Sequence, residues 1–384
     1  MPVYLDHNAT TPLDPRVLAA MLPYLGAEFG NPSSVHGFGR AARDALDTAR
    51  EQVAGLVNAR ASQVVFTSGG TEANNIALLG SCAALPVGRI AISAIEHDSV
   101  RAPARVLAGR GWTVDTIAVD AAGRVSAQSL AQALHPDTRL VSVMQANNES
   151  GVVQQLPALA AATRAAGAIM HSDAVQAAGK IALDYPASGV QLMSLSGHKI
   201  YGPKGVGALI VDKALDMRAL VYGGGQELAL RPGTENVAGI VGFGVAAQIA
   251  RDELHSGAAK QAELRSYLEA QLHSIDGLVI FAADAARLPN TTQLGVSGVD
   301  GAALLLELDR AGFAVSSGSA CTAGSHASSH VMVAMGVAPD LARGALRISL
   351  GRSTTREQLH GFCQALQAAV AQCRAGALRT AAGL

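Results

Sequence analysis

The stretch "SLSGHKIYGPKG" (194–205) changes character in its middle. It opens as the end of an apolar run, "VQLMSLS" (190–196), and leads into a second one, "GALIVD" (207–212). Both runs have the length and composition of buried strands. Between them lies a glycine-rich turn carrying His198 and Lys199. A lysine at the end of a strand, among small residues and beside a histidine, is a candidate for Schiff-base chemistry. Its amine reacts only when deprotonated, and desolvation or a neighbouring cation favours that form. A solvated loop lysine is the commoner fate, so the neighbouring segments must decide.

Outward from that turn, short β-like runs alternate with Ala-rich helical segments. The runs are "QVVFTS" (63–68), "RIAISAI" (89–95), "TVDTIAV" (113–119), "RLVSVMQ" (139–145) and "AIMHSD" (168–173). This alternation predicts an α/β fold around a mostly parallel central sheet, whose ligands collect at the carboxyl ends of the strands. Farther on, residues 245–275 read as one long amphipathic helix. "LVIFA", "TTQLGVS" and "ALRISLG" follow as strands of a smaller α+β unit, with a C-terminal helix after them. The expected division is a large domain over 15–250 and a small domain made of 1–14 and 251–384.

Bulk properties narrow the function. The chain has 384 residues, 49% of them hydrophobic, which is enough for a large core. Its formal net charge is −1 and aromatics make up 4%, so neither a basic face nor a base-stacking surface is expected, and nucleic acid is an unfavoured partner. No apolar run reaches the length of a membrane span. "MPVYLDHNATTP" lacks the basic and apolar regions of a secretory leader. The four cysteines form no C-x-x-C pair, so free thiols in a reducing, cytoplasmic setting are expected.

Each strand end offers a polar group. "TSGGTEANN" (67–75) opens a helix with glycines and Thr71, a pattern suited to an anion at the free N–H groups, although a capped tight turn would look the same. It is neither a dinucleotide fingerprint nor a Walker sequence. "AIEHDSV" (94–100) places His97 after a strand, "MQANNESG" (144–151) places Asn147, Asn148 and Glu149, and "HSDAVQAAG" (171–179) places Asp173 and Gln176. Singly, His97 reads as structural and Asp173 as a helix cap. Together they supply a phosphate cradle, a carboxylate for a pyridinium nitrogen, an amide, an imidazole and a lysine. That set meets the needs of pyridoxal 5′-phosphate.

The motifs "YLDHNATTP", "FGNPSSVH", "FTSGGTEANN", "EHDSV", "NNESGVVQ", "HSDAVQAAGK", "SGHKIYGPKGVGAL", "GGGQE", "RPGTENVAGIVG", "VSSGSACTAGS" and "LRISLGR" resemble, in order and spacing, the NifS/IscS-type cysteine desulfurases. These are class V, fold-type I pyridoxal phosphate enzymes. The resemblance implies that Lys199 binds the cofactor aldehyde, Asp173 pairs with the pyridinium nitrogen, and His97 stacks on the ring and moves protons. It further implies that Gln176 donates to the phenolate oxygen, with Asn148 near that oxygen or the substrate carboxylate. Gly70, Thr71, Ser196 and His198 would hold the phosphate. Thr234 would reach the cofactor of a second subunit, which implies a homodimer. Arg347 would grip the substrate carboxylate, and Asn8 would line the entrance.

The resemblance also gives Cys321 its role. In "SSGSACTAGS" (316–325) nothing is large enough to bury it, unlike Cys82, Cys363 and Cys373 in apolar helical stretches. Cys321 would attack the sulfur of L-cysteine as a thiolate, leaving alanine and a persulfide, with His97 as the group that helps ionise it. The loop is expected to be mobile and to pass sulfur to an iron–sulfur scaffold or another acceptor protein. No resident metal is expected, only a transient iron–sulfur contact at Cys321. Two departures bear on acceptor choice: "SHASSHVM" (325–332) replaces a Leu-Glu-Pro-Ser-like segment, and Leu228 stands where an arginine is common. A selenocysteine lyase or another class V enzyme is the second reading, and a non-catalytic sulfur carrier or scaffold is the third.

Overall fold

The computed structural model describes residues 2–317 and 329–381, with the side chains described as far as residue 376. In chain order the strands are β1 (Val3–Tyr4), β2 (Val64–Thr67), β3 (Arg89–Ser93), β4 (Thr113–Ile117), β5 (Thr138–Ser142) and β6 (Ile169–Asp173). They continue with β7 (Leu192–Ser196), β8 (Gly207–Val211), β9 (Leu278–Ile280), β10 (Thr291–Val296), β11 (Phe313–Ala314) and β12 (Ala345–Ser349). Seven of them form one sheet in the order β2-β8-β7-β6-β5-β3-β4. β8 is antiparallel to both of its neighbours, and the other pairings are parallel. The sheet is therefore the mostly parallel one that the alternating segments predict.

The strands are apolar on both faces because both faces are covered. Successive side chains point to opposite sides. Val64 and Phe66 of β2, Ala91 of β3 and Ala208 and Ile210 of β8 pack into one core. Val65, Ile90, Ile92, Leu209 and Val211 pack into the other. The first core is closed by the helices Gly37–Leu56 and Val237–Asp252 through Leu46, Ala49, Val53, Phe243 and Ala247. These two helices approach closely because Gly244 has no side chain; a Cβ there would lie 2.6 Å from the Ala49 Cα. The second core is closed by the segment from Gly70 to Gly80 and by the helix Asp98–Ala108.

A separate apolar cluster lies around the three-stranded sheet β12-β10-β9. Leu264 and Leu268 reach it from the helix Leu254–Leu272, Leu304 and Leu308 from Gly301–Arg310, and Leu359, Phe362 and Leu366 from the C-terminal helix. The N-terminus joins this part of the chain: β1 pairs with β11, and Asp6 bridges to Ser349.

One expectation is corrected. Residues 245–275 are not one helix. Val237–Asp252 and Leu254–Leu272 part at Glu253, whose φ of −94° and ψ of 3° leave the helical region. The Glu253 carboxylate is held from outside by Arg16 at 2.7 Å and Arg352 at 3.5 Å. These contacts fix the corner.

Candidate active site

Five strands of the large sheet deliver side chains at their carboxyl ends. β2 leads into Gly69 and Gly70, β3 into His97, β5 into Asn148 and Glu149, β6 ends on Asp173, and β7 ends on Ser196 before the tight turn Gly197–Lys199. They surround a cavity of about 410 Å³. Its lining holds Asn8, Gly70, Thr71, His97, Asn148, Asp173, Gln176, Ser196, His198, Lys199 and Arg347. Two residues expected here are not among them. Thr234 is exposed in the loop before the helix Val237–Asp252. Cys321 lies outside the described residues, as do Gly318, Gly324 and residues 325–328.

One end of the cavity opens into a cup lined by Gly70, Thr71, Ser196 and His198 together with Thr10, Ser68, Lys204 and Gly205. The cup depends on missing side chains. A Cβ on Gly70 would lie 2.6 Å from Val175 Cγ2, and one on Gly207 would lie 2.6 Å from the Gly69 carbonyl carbon. His198 Nδ1 lies 3.1 Å from Thr10 Oγ1. Burial first, then the charges of Lys199, Lys204 and Lys180, hold the His198 pKa down at about 4, so the ring is neutral at pH 7. Hydroxyls, helix-start N–H groups and an ammonium around a side-chain-free hollow fit a phosphate.

In the same cavity, Asp173 Oδ1 accepts from Val175 N at 3.0 Å and Oδ2 from Asn74 Nδ2 at 2.7 Å. The same Asn74 nitrogen donates to Ser99 Oγ at 2.8 Å, and Ser99 Oγ lies 2.8 Å from His97 Nδ1. Ser99 N also donates to His97 Nδ1, at 3.1 Å, because His97 is the N-cap of the helix Asp98–Ala108. The carboxylate and the imidazole are thus joined through two buried polar side chains.

Lys199 also lines the cavity. Its Nζ donates to the carbonyls of Asn8 at 2.6 Å and Ala9 at 2.7 Å. Behind it, Lys180 Nζ donates to Asn8 Oδ1 at 2.9 Å and Gln176 Oε1 at 2.8 Å, while Gln176 Nε2 donates to Asn8 O at 2.9 Å. Burial, then Lys199 and Arg347, push the Lys180 pKa well below its ordinary value. Arg347 is buried; it donates to Asn148 O at 3.0 Å and pairs with Asp6 Oδ1 at 2.6 Å. Near the mouth, Ser329 Oγ donates to Glu149 Oε2 at 2.5 Å, and His330 and Arg101 complete the wall.

Sequence reasoning missed Asn74, Ser99, Lys180, Ser329 and His330. Lys180 carried a signal: it is the only charged residue in "AVQAAGKIAL". Cys82 and Cys363 behave as buried hydrophobes, and Cys373 is half-buried. Burial pushes the Cys82 pKa up to about 12 and that of Cys363 up to about 11.

The donor set fits pyridoxal phosphate: an anion cup, a carboxylate, an imidazole and a lysine in one cavity. Residues 3–362 match the family model described as Aminotransferase class-V. The chain is 43% identical to cysteine desulfurase 2 of Trichormus variabilis, over 97% of this chain and 94% of that one. It is 41% identical to cysteine desulfurase IscS of Dictyoglomus turgidum, over 97% and 95%. A solved structure described as a NifS-like protein superposes with a TM-score of 0.91 at 36% identity, covering 97% of this chain and 100% of that one. A NifS-like protein from Rickettsia africae gives a TM-score of 0.87 at 35% identity, covering 96% and 99%. With a strand-end lysine site on a mostly parallel sheet and a match over nearly its whole length, the chain belongs to the class-V aminotransferase family.

Proposed function

We infer that this chain is a cysteine desulfurase, a pyridoxal phosphate enzyme that takes sulfur from L-cysteine and leaves L-alanine. The observation that carries the reading is the single cavity into which Lys199, Asp173, His97 and Arg347 all project. Pyridoxal phosphate, when bound, supplies the electron sink that lets the α-proton of the substrate leave. Gly70, Thr71, Ser196 and His198 hold its phosphate, Asp173 its ring nitrogen, and Gln176 and Asn148 its phenolate side.

The chain's own residues do the rest. Arg347 binds the substrate carboxylate with a guanidinium that stays charged even when buried. Lys199 would hold the cofactor aldehyde, and its Nζ, when free, would accept the substrate α-proton. Asn8, itself buried, lines the cavity beside it. Cys321 Sγ, as a thiolate, forms a bond to the substrate sulfur while the carbon–sulfur bond breaks. Its electron pair stays with the substrate carbon, which is protonated to give alanine, and the sulfur remains on Cys321 as a persulfide.

The rest of the proposal concerns surroundings. The exposure of Thr234 supports a homodimer in which this residue reaches the partner's cofactor phosphate. The separate apolar clusters support a large domain over 15–250 and a small one formed by 1–14 and 251–384. Among the described residues no helix is long and apolar enough to cross a membrane. The persulfide would be handed, in the cytoplasm, to an iron–sulfur scaffold or another acceptor protein, with no direct role for nucleic acid.

The test is to incubate the cofactor-loaded protein with L-cysteine, measure alanine, and locate the added sulfur by mass spectrometry. One extra sulfur on Cys321 is expected, and Cys321→Ser should keep the cofactor spectrum while losing sulfide release. Sulfide production by Cys321→Ser at the wild-type rate, with a reductant present, would refute the persulfide role.

A further inference from the structure

The bonds joining Asp173 to His97 have a direction that follows from counting hydrogens. An ionised carboxylate only accepts, so Asp173 Oδ2 must receive a hydrogen from Asn74 Nδ2. That places the amide nitrogen, not its oxygen, toward Asp173. An amide nitrogen has two hydrogens, and the second goes to Ser99 Oγ at 2.8 Å. Ser99 Oγ therefore acts as acceptor on that side, and its own hydrogen is left for His97 Nδ1 at 2.8 Å. The Ser99 backbone N–H points at the same ring nitrogen from 3.1 Å. Two donors converge on Nδ1. In the neutral ring that nitrogen keeps its lone pair, and the proton resides on Nε2.

All of this is built into the core and not left to solvent. Asn74 is fully buried and Ser99 nearly so, and both border the cavity that His97 and Asp173 line. Asn74 comes from the helix that follows the anion cup, while Ser99 comes from the first turn of the helix that His97 caps. The arrangement therefore ties two strand-end segments together at the point where their functional residues meet.

We propose that Asn74 and Ser99 are positioning residues that hold His97 in its Nε2–H tautomer, so that the ring meets the substrate as a hydrogen-bond donor and not as the base that takes up a thiol proton. A neutral imidazole held this way stabilises negative charge that develops on an atom in front of it, whether a substrate oxygen or a thiolate sulfur. It also orients the ring plane, since Nδ1 is pinned from two directions. Ser99 acts through His97 and touches no reacting atom. This inference rests on the reading that His97 works in the cavity, but not on which amino acid the enzyme consumes.

The experiment is nitrogen-15 NMR of protein labelled in its eleven histidines, with the His97 signals identified by their loss in His97→Gln. It is run first on cofactor-free protein and then on cofactor-loaded protein. Wild type should show the proton on Nε2 in both. Ser99→Ala should show a mixture of tautomers, with kcat for alanine formation lowered about tenfold and KM little changed, because ring orientation and not substrate binding is lost. Ser99→Thr, which keeps the hydroxyl, should restore both. A wild-type His97 carrying its proton on Nδ1 would overturn the proposal, as would a Ser99→Ala variant with wild-type tautomer and wild-type kcat. Should Ser99→Ala fail to fold, the wild-type tautomer alone decides. Failure of the loaded enzyme to form alanine from cysteine would refute the desulfurase reading and leave the tautomer result standing on its own.

Discussion

Lys180 and Lys199 grip the same asparagine from two sides: Lys199 Nζ donates to the Asn8 carbonyl at 2.6 Å, and Lys180 Nζ to the Asn8 side-chain oxygen at 2.9 Å. Lys180 also donates to Gln176 Oε1, so the same buried amine sets which way the Gln176 amide faces and helps Asn290 hold that of Asn8. With its oxygen so held, Gln176 turns its Nε2 to Asn8 O. Lys180→Met fills the same space and supplies no hydrogen, leaving the buried Gln176 Oε1 without its donor while Asn8 Oδ1 keeps that of Asn290 Nδ2 at 3.1 Å. Loss of one net hydrogen bond at the cofactor, ~1.4 kcal/mol, corresponds to roughly a tenfold rise in the dissociation constant for pyridoxal phosphate. Fluorescence titration of the cofactor-free variant would read it. An unchanged affinity would mean that the Gln176 amide is held without Lys180.

Arg347 carries the next expectation. It is 2% exposed, and its contacts to Asn148 O and Asp6 leave the guanidinium fixed at the cavity wall. Arg347→Lys keeps a charge to balance Asp6 but loses the planar fork that matches a carboxylate. KM for cysteine should rise tenfold or more, while the cofactor absorption spectrum and the midpoint of thermal unfolding change little. Steady-state kinetics and calorimetry on the same preparation separate that outcome from a general loss of structure.

What could be read without coordinates was whatever has a local cause. Lys199, His97 and Asp173 were legible as a set, because each lies at or just after the end of an apolar run that reads as a strand, and parallel sheets gather strand ends on one edge. Arg347, Asn8 and Thr234 have no such signature, and only resemblance to a family pointed to them. Asn74 and Ser99 were illegible for a different reason. Each looks like an ordinary polar residue of an early helical turn, and they become a connection only when two segments 25 residues apart pack side by side. The corner at Glu253 was hidden in the same way, since it is made by Arg16 and Arg352 from remote parts of the chain.

Ser329 is expected to matter for a site it barely touches. Its hydroxyl donates to Glu149 Oε2 and accepts from Val331 N at 3.1 Å and Met332 N at 3.4 Å, so it caps the helix His330–Ala334 and satisfies a buried carboxylate at once. Burial raises the Glu149 pKa, and the Ser329 bond, with Arg347 behind it, works against that rise. Ser329→Ala loses the cap, about 1 kcal/mol, and leaves the carboxylate short of a donor. Thermal unfolding should shift down by several degrees, and Ser329→Thr should recover most of it. A Ser329→Ala variant as stable as the wild type would show that the Glu149 carboxylate finds another donor.

A pH effect on stability should come from Glu96, which does not line the cavity. It is fully buried between β3 and the segment after β5; its Oε1 accepts from Ser93 Oγ at 2.6 Å and Met144 N at 2.7 Å. Burial pushes its pKa up to about 8; the Ser93 and Met144 bonds oppose the rise and the charge of Asp173 adds to it. The folded state therefore keeps a proton that the unfolded chain, with an ordinary carboxyl near 4.5, has already released. Whenever the folded state binds more protons, stability falls as pH rises. Here that window runs from about 4.5 to about 8, with a slope approaching ~1.4 kcal/mol per pH unit for one proton. Glu96→Gln keeps an oxygen for both donors and cannot ionise, so its stability loses this slope. Measured from pH 6 to pH 8, the unfolding midpoint of the Gln variant should fall by several degrees less than that of the wild type, since every other titrating group is common to both. Parallel curves for the two proteins would mean that Glu96 is already ionised in the folded state, with its charge carried by the two hydrogen bonds alone.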